Sequence, residues 1–130
     1  MNLKNINTFI KILLTFLFFN LFFVSSSNAK RLAPKEVNPV ISNGIKYIVP
    51  HFKIINGKVK HGYIEAWDIN LNKKIWEIQI YKINYDNNLE KDVQDVFIIS
   101  LKIQKNKLII LNEINDKYEL NIETKKINKL

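Results

Sequence analysis

From Gly44 onward the chain alternates short runs of β-branched and aromatic residues with clusters of Asn, Gly and Lys. Such a rhythm marks strands separated by tight turns. It predicts strands near 45–49, 53–55, 63–69, 74–83, 96–104, 108–112 and 118–122. Alternation within them assigns faces. Trp76, Ile78 and Ile80 fall on one side of their strand and Glu77, Gln79 and Tyr81 on the other, so the first set is expected to face the core. In the 63–69 strand, Tyr63, Glu65, Trp67 and Ile69 oppose Ile64, Ala66 and Asp68. Neither side is wholly polar, which predicts partial cover on both faces. Asn70, Leu71, Asn72 and Lys73 read as a hairpin link in which Asn72 takes the left-handed conformation at low cost. Asn106-Lys107 and Asn115-Asp116 mark two further turns.

One stretch, 85–96, breaks the strand rhythm: Leu89, Val93 and Val96 recur at helical spacing after a cap at Asp86 or Asn87. A short helical segment around 87–94 is expected there. The pattern as a whole is that of an all-β fold, either a small antiparallel β sandwich or a partial, propeller-like β-meander.

The N-terminal pattern differs. Lys4 and Lys11 flank the start of an apolar run over 12–24, broken by Thr15 and Asn20 and followed by Ser27-Asn28-Ala29. A positive start, an apolar middle and small residues before a cut are the parts of a secretory signal peptide. Residues 1–29 are therefore expected to direct export, periplasmic or secreted, with a mature chain beginning at Lys30. The alternative is an uncleaved anchor, which would hold the protein at a membrane. Residues 30–42, with Lys30, Arg31, Lys35, Pro34 and Pro39, read as an extended basic leader. Residues 43–130 form a single β domain. The chain has no cysteine, so its core must come from packing alone.

Charge adds less than its size suggests. The whole chain carries +8, of which Lys4 and Lys11 contribute two. Nearly all the basic residues are lysine, and Arg31 is the sole arginine. A nucleic-acid surface favours Arg for its bidentate contacts, and export argues against that partner. A solvated lysine-rich face competes with attraction to an anionic envelope component or acidic polysaccharide.

The run Ala66-Trp67-Asp68-Ile69-Asn70-Leu71-Asn72-Lys73-Lys74-Ile75-Trp76 resembles the repeat of quinoprotein-type (PQQ-like) β-propellers, Ala-x-Asp-x-x-Thr-Gly-Lys-x-x-Trp. Ala66, Asp68, Lys73 and Trp76 match, whereas Leu71 and Asn72 replace the Thr-Gly. A degenerate echo spans 118–126, where Thr124 is kept, Asn121 replaces the Asp and no Trp follows. Asp68 and Asn121 lie 53 residues apart, close to a blade length. The resemblance implies turn-stabilising roles for the Asp and Thr positions and a packed Trp76. A closed propeller needs at least four blades. This chain holds material for two, so it implies a small open fold or a homo-oligomer that covers its strand edges.

Catalytic constellations are scarce: there is no Cys nucleophile, Gly-x-Ser-x-Gly, His-Glu-x-x-His or phosphate-binding Gly loop. No cofactor is expected, and no catalytic residue is assigned. His51 and His61, the two histidines, sit at strand ends and can meet across a hairpin. With Glu65 or Asp68 they offer the elements of a metal site, against the plainer reading of a turn residue and a satisfied surface residue. Glu90, Asp92 and Asp95 are the densest acidic patch; Asp92 and Asp95 are the candidate acidic site, against a helix-capping role. Trp67, Tyr81 and Tyr85 are the candidate binding residues, an aromatic platform for a sugar ring or a partner side chain if they share the face opposite Trp76. The alternative is that a second sheet covers them as core. The favoured function is an exported, noncatalytic β module that binds a protein or envelope component. The alternatives are a secreted hydrolase using paired carboxylates such as Glu65 and Asp68 or Asp92 and Asp95, and an oligomeric, propeller-like cofactor or metal binder.

Overall fold

The computed structural model describes residues 31–130. The expected signal at 1–29, and Lys30 at the head of the leader, lie outside the described residues. The described chain is all-β, almost wholly antiparallel, as the alternation predicts. One four-stranded sheet has the order β1 (Val40–Ser42), β2 (Ile45–Ile48), β5 (Tyr63–Asp68), β6 (Lys73–Gln79). A hairpin of β3 (Lys53–Ile55) and β4 (Lys58–Lys60) is inserted between β2 and β5. The second sheet is the meander β7 (Ile98–Gln104), β8 (Lys107–Asn112), β9 (Lys117–Asn121), β10 (Ile127–Lys129). The connection between the sheets carries a single helical turn, α1 (Lys91–Gln94).

The two sheets share one core, because each presents an apolar row that the other covers. In the first sheet, Tyr47 pairs with Ala66 and Ala66 with Trp76. Ala66 is small enough to let the flanking rings meet across it, with Tyr47 and Trp76 centroids 5.9 Å apart. Ile64 and Ile78 form the next row. The second sheet contributes Leu101–Ile110–Tyr118 and Ile103–Leu108–Leu120–Ile127 as cross-strand rows. Ile64, Ala66, Leu108, Ile110 and Leu120 are fully buried, and Trp76, Ile78 and Ile80 turn to the core as their alternation predicts.

The turns explain the pairing. Asn43-Gly44 and Asn56-Gly57 both have positive φ at each residue, the geometry of the two-residue hairpin turn that matches strand twist. They create β1 and β4, two three-residue strands that the apolar pattern does not predict. The end of the expected leader is thus not a free tether: residues 40–42 pair with β2, and Val37 and Val40 pack on the core. β10 is likewise unpredicted.

The β5–β6 and β9–β10 links are built alike. Asp68 Oδ1 accepts hydrogen bonds from the backbone N–H groups of Asn70 and Leu71, and Asn121 Oδ1 accepts from Glu123 and Thr124. Four residues after each cap, Asn72 and Lys125 adopt positive φ. Both links join the third and fourth strands of their sheets, and Lys125 Nζ lies 4.5 Å over the Trp76 ring. The two similar sequence windows therefore occupy corresponding positions and touch.

The segment around 87–94 forms only one turn. Asp86 folds back onto Asn88 instead of capping a helix, Gln94 bonds the carbonyls of Asp86, Leu89 and Glu90, and Leu89 and Val93 stay exposed. Helical spacing without a surface to bury against does not extend a helix.

Gly62 sets the approach between β5 and the residues after β6. Its φ is +79°, its carbonyl accepts from Ile80 N–H at 2.7 Å, and a Cβ there would lie 2.8 Å from the Tyr81 carbonyl oxygen. Gly57 has similar φ with open space around it. Gly57→Ala is expected to lower stability by about 1–2 kcal/mol, the left-handed backbone cost alone. Gly62→Ala is expected to lose a further 1–3 kcal/mol or so through the backbone overlap. Urea denaturation of the two variants checks this, and equal losses would refute the close-approach account.

Candidate binding site

The three candidate aromatics do not share a face. Tyr81 lies on the core side: its ring stacks on Tyr118 with centroids 5.4 Å apart, and its hydroxyl donates to the Val96 carbonyl at 2.8 Å. Burial pushes that hydroxyl well above the ordinary tyrosine range. The strand alternation that assigned Tyr81 outward ends at Gln79, where the chain leaves the sheet. Trp67 is on the opposite, outer face of the first sheet, and its Nε1 donates to Glu65 at 2.9 Å. Tyr85 sits in the inter-sheet connection.

On the outer face, Glu65 and Glu77 stand directly opposite each other on β5 and β6. Such a pair repels unless a cation intervenes. Lys53, from the inserted hairpin, supplies it, with Nζ 2.8 Å from Glu65 and 2.6 Å from Glu77. Burial alone would raise the Glu65 carboxyl, but the hydrogen bonds from Lys53 and Trp67 outweigh it and hold the group below its usual range. Glu65 and Trp67 are thus committed to docking the β3–β4 hairpin, and Asp68 to capping a turn.

Docking the hairpin makes a cavity. About 330 Å³ in volume, it is bounded by Ile55, Lys60 and His61 from the hairpin side, Tyr63 and Gln79 from the sheet, and 82–85 from the connection. It continues into a second cavity of about 510 Å³ that shares Lys60 and Tyr85 and adds Lys58, Asp86 and Lys91. Among the described residues, Lys58, Lys60, Lys82 and Lys91 enter no ion pair. Lys91 Nζ lies 5.1 Å from the centre of the Tyr85 ring. Four uncompensated lysines beside two tyrosines make a groove that favours an anion carrying an apolar face.

Asp95 pins the wall. Its Oδ1 accepts from the Tyr85 hydroxyl at 2.7 Å, its Oδ2 lies 3.3 Å from His61 Nε2, and its carbonyl accepts from Arg31. Burial first, and then the Asp95 carboxylate, push the Tyr85 hydroxyl far above its ordinary range, so it stays a donor. Arg31 also pairs with Glu113, whose other oxygen accepts from Phe97 N–H. Phe97 receives both histidine rings, His61 at 4.3 Å and His51 at 5.3 Å. The histidines do meet, but around an aromatic ring and apart from Glu65 and Asp68. Among the described residues no group of three His, Cys, Asp or Glu side chains gathers as a metal site. Neither Asp92, on α1, nor Asp95 lines either cavity; Asp95 stands behind the wall, bonded to Tyr85.

Of the candidate residues, then, Tyr85 lines the cavity with His61, and Asp95 stands behind them, accepting from the Tyr85 hydroxyl. Lys60, Lys82 and Tyr63 complete it and went unnoticed in the sequence. In a chain with lysine throughout, no local pattern distinguishes Lys60 or Lys82 from the rest. No protein-family model matches this chain, and no curated protein matches it either.

His61 is buried with Nε2 lacking a hydrogen-bond partner, since the Asp95 approach is poorly aligned. Burial lowers its proton affinity below the ordinary value of 6.5, although the Asp95 charge pulls the other way. The unfolded chain therefore takes up a proton that the folded chain refuses. Stability is full above the unfolded value and falls as pH drops from it toward the folded value. A urea midpoint that declines as pH falls through about 6.5, the unfolded value, is expected, with a flatter profile in His61→Gln. An unchanged slope in the variant would assign the effect elsewhere.

Proposed function

We propose that this protein is an exported, noncatalytic β module that binds an anionic envelope component through the groove beside Tyr85. The carrying observation is the adjoining pair of cavities, in which Lys58, Lys60, Lys82 and Lys91 enter no ion pair among the described residues and stand beside Tyr63 and Tyr85. The groove lies where a rigid core meets an inserted hairpin, a placement suited to recognition. The signal-like N-terminus supports export, and it puts such a basic site among anionic surface polymers and lipids. The corresponding third-to-fourth-strand hairpins support a two-blade, propeller-like ancestry without assigning a cofactor.

Co-sedimentation of the mature domain with isolated cell envelopes tests the reading. Binding is expected at low salt, weakening as salt rises. The Lys58, Lys60, Lys82 and Lys91 quadruple Gln variant is expected to lose most of it, about tenfold or more. No binding by the wild type would sink the function, and full binding by the variant would move the site. Export itself is checked by fusing residues 1–40 to a reporter active only outside the cytoplasm.

A further inference from the structure

The smaller cavity is more specific than a charged surface. Lys60 and Lys82 line it together with Tyr63, Tyr85, Gln79 and Asn84. At about 330 Å³ it stands at the small end of ligand cavities, which run from roughly 300 to 1,000 Å³. Each part matches a part of one chemistry. Ammonium groups take a carboxylate, ring faces take the C–H face of a pyranose, and amides exchange hydrogen bonds with its hydroxyls.

We infer that this cavity binds an acidic sugar unit, a uronate within an envelope polysaccharide or at its end. The inference rests on the envelope-binding reading and narrows it. A phospholipid headgroup would satisfy the two lysines but would leave the rings and both amides without a role. A wholly neutral sugar would leave two unpaired ammonium groups facing it. The Tyr85 hydroxyl is already committed to Asp95, so Tyr85 offers its ring and holds one orientation. Gly62 and the Lys53 ion pairs fix the opposite wall by holding β5 and the hairpin in place.

The larger, more open cavity continues the groove past Lys60 and Tyr85 toward Lys58 and Lys91. A polymer of uronates would run along that line, one carboxylate near Lys60 and Lys82 and the next near Lys58 and Lys91. The trimer should therefore bind more tightly than the monomer, with the gain residing in Lys58 and Lys91.

Titration of the mature domain with galacturonate, trigalacturonate, galactose and phosphatidylglycerol vesicles tests this by NMR. His51 and His61 are the two imidazoles of the chain, so their ring protons resolve readily. Trigalacturonate is expected to bind at least tenfold more tightly than galactose and to shift His61 and Tyr85 resonances. Lys60→Gln and Lys82→Gln should each weaken binding about tenfold. Lys102→Gln, on the outer face of the second sheet, should leave it unchanged. Tyr85→Phe keeps the ring and should retain binding, whereas Tyr85→Ala should lose it while near-ultraviolet circular dichroism reports an intact fold. The inference is overturned if galactose binds as well as the uronates, if uronates leave His61 and Tyr85 unmoved, or if only the vesicles bind. Envelope binding that persists in any of those cases leaves the broader function standing.

Discussion

Neither four-stranded sheet can bury its inner face by itself, and with no cysteine in the chain no disulfide joins them, so mutual coverage carries the contact. The whole structure depends on that contact. Its centre is tightly complementary: Ala66 recedes between Tyr47 and Trp76, while Leu108, Ile110 and Leu120 fill the other side. Each fully buried aliphatic side chain contributes about 1.5–3 kcal/mol relative to exposure. Packing of this kind is unforgiving of volume changes. It also explains why the two similar hairpins adjoin, since Lys125 of one covers Trp76 of the other and loses proton affinity to burial there.

The groove inherits its shape from this contact. The connection after β6 must pass from one sheet to the other, and it does so over Gly62, with Ile80 bonded to the Gly62 carbonyl and Tyr81 stacked on Tyr118 of the facing sheet. Tyr85 and Asp95 follow on the same excursion. Arg31 and Glu113 secure its return at Phe97. A second constraint comes from the outer face, where Lys53 neutralises two opposed glutamates and fixes the inserted hairpin. The cavity is what remains between these two anchored segments. Its walls are therefore set by packing and ion pairing elsewhere, and little of its own side-chain chemistry is needed to maintain it.

Long strands were legible in the sequence because alternation persists over five or more residues, as in β5, β6, β7 and β8. The short strands β1, β4 and β10 were not, although the equally short β3 was read at 53–55; three residues carry too little periodicity to decide the matter. For β1 and β4 a different signal was present: Asn43-Gly44 and Asn56-Gly57 dictate two-residue hairpins. Asn72 was read correctly from the preference of Asn for positive φ. The site was less legible for a physical reason. Tyr81 and Tyr85 belong to a segment outside the sheets, where neither period applies, so their directions follow from tertiary contacts. Asp95 could be recognised as acidic but not as the partner of His61, which lies 34 positions earlier in the chain.

The abundance of lysine invites the view that the basic charge has no positional meaning, and the structure separates the lysines by their surroundings. Lys53 and Lys74 neutralise glutamates within the first sheet, Lys107 and Lys129 pair with Glu119 and Asp116 in the second, and Lys125 covers Trp76. These roles spend positive charge on holding strands and hairpins together. At the groove the balance changes. Asp86 lines it but folds onto Asn88, and Asp95, behind the wall, accepts from the Tyr85 hydroxyl. Lysines that a uniform compositional bias would scatter evenly are there gathered around a concavity, with the neutralising acids turned to other tasks. Charge left uncompensated in a concave site is focused toward any ligand that enters, because the low-dielectric walls concentrate the field. That concentration, more than the net charge of the chain, gives the groove its preference for an anion.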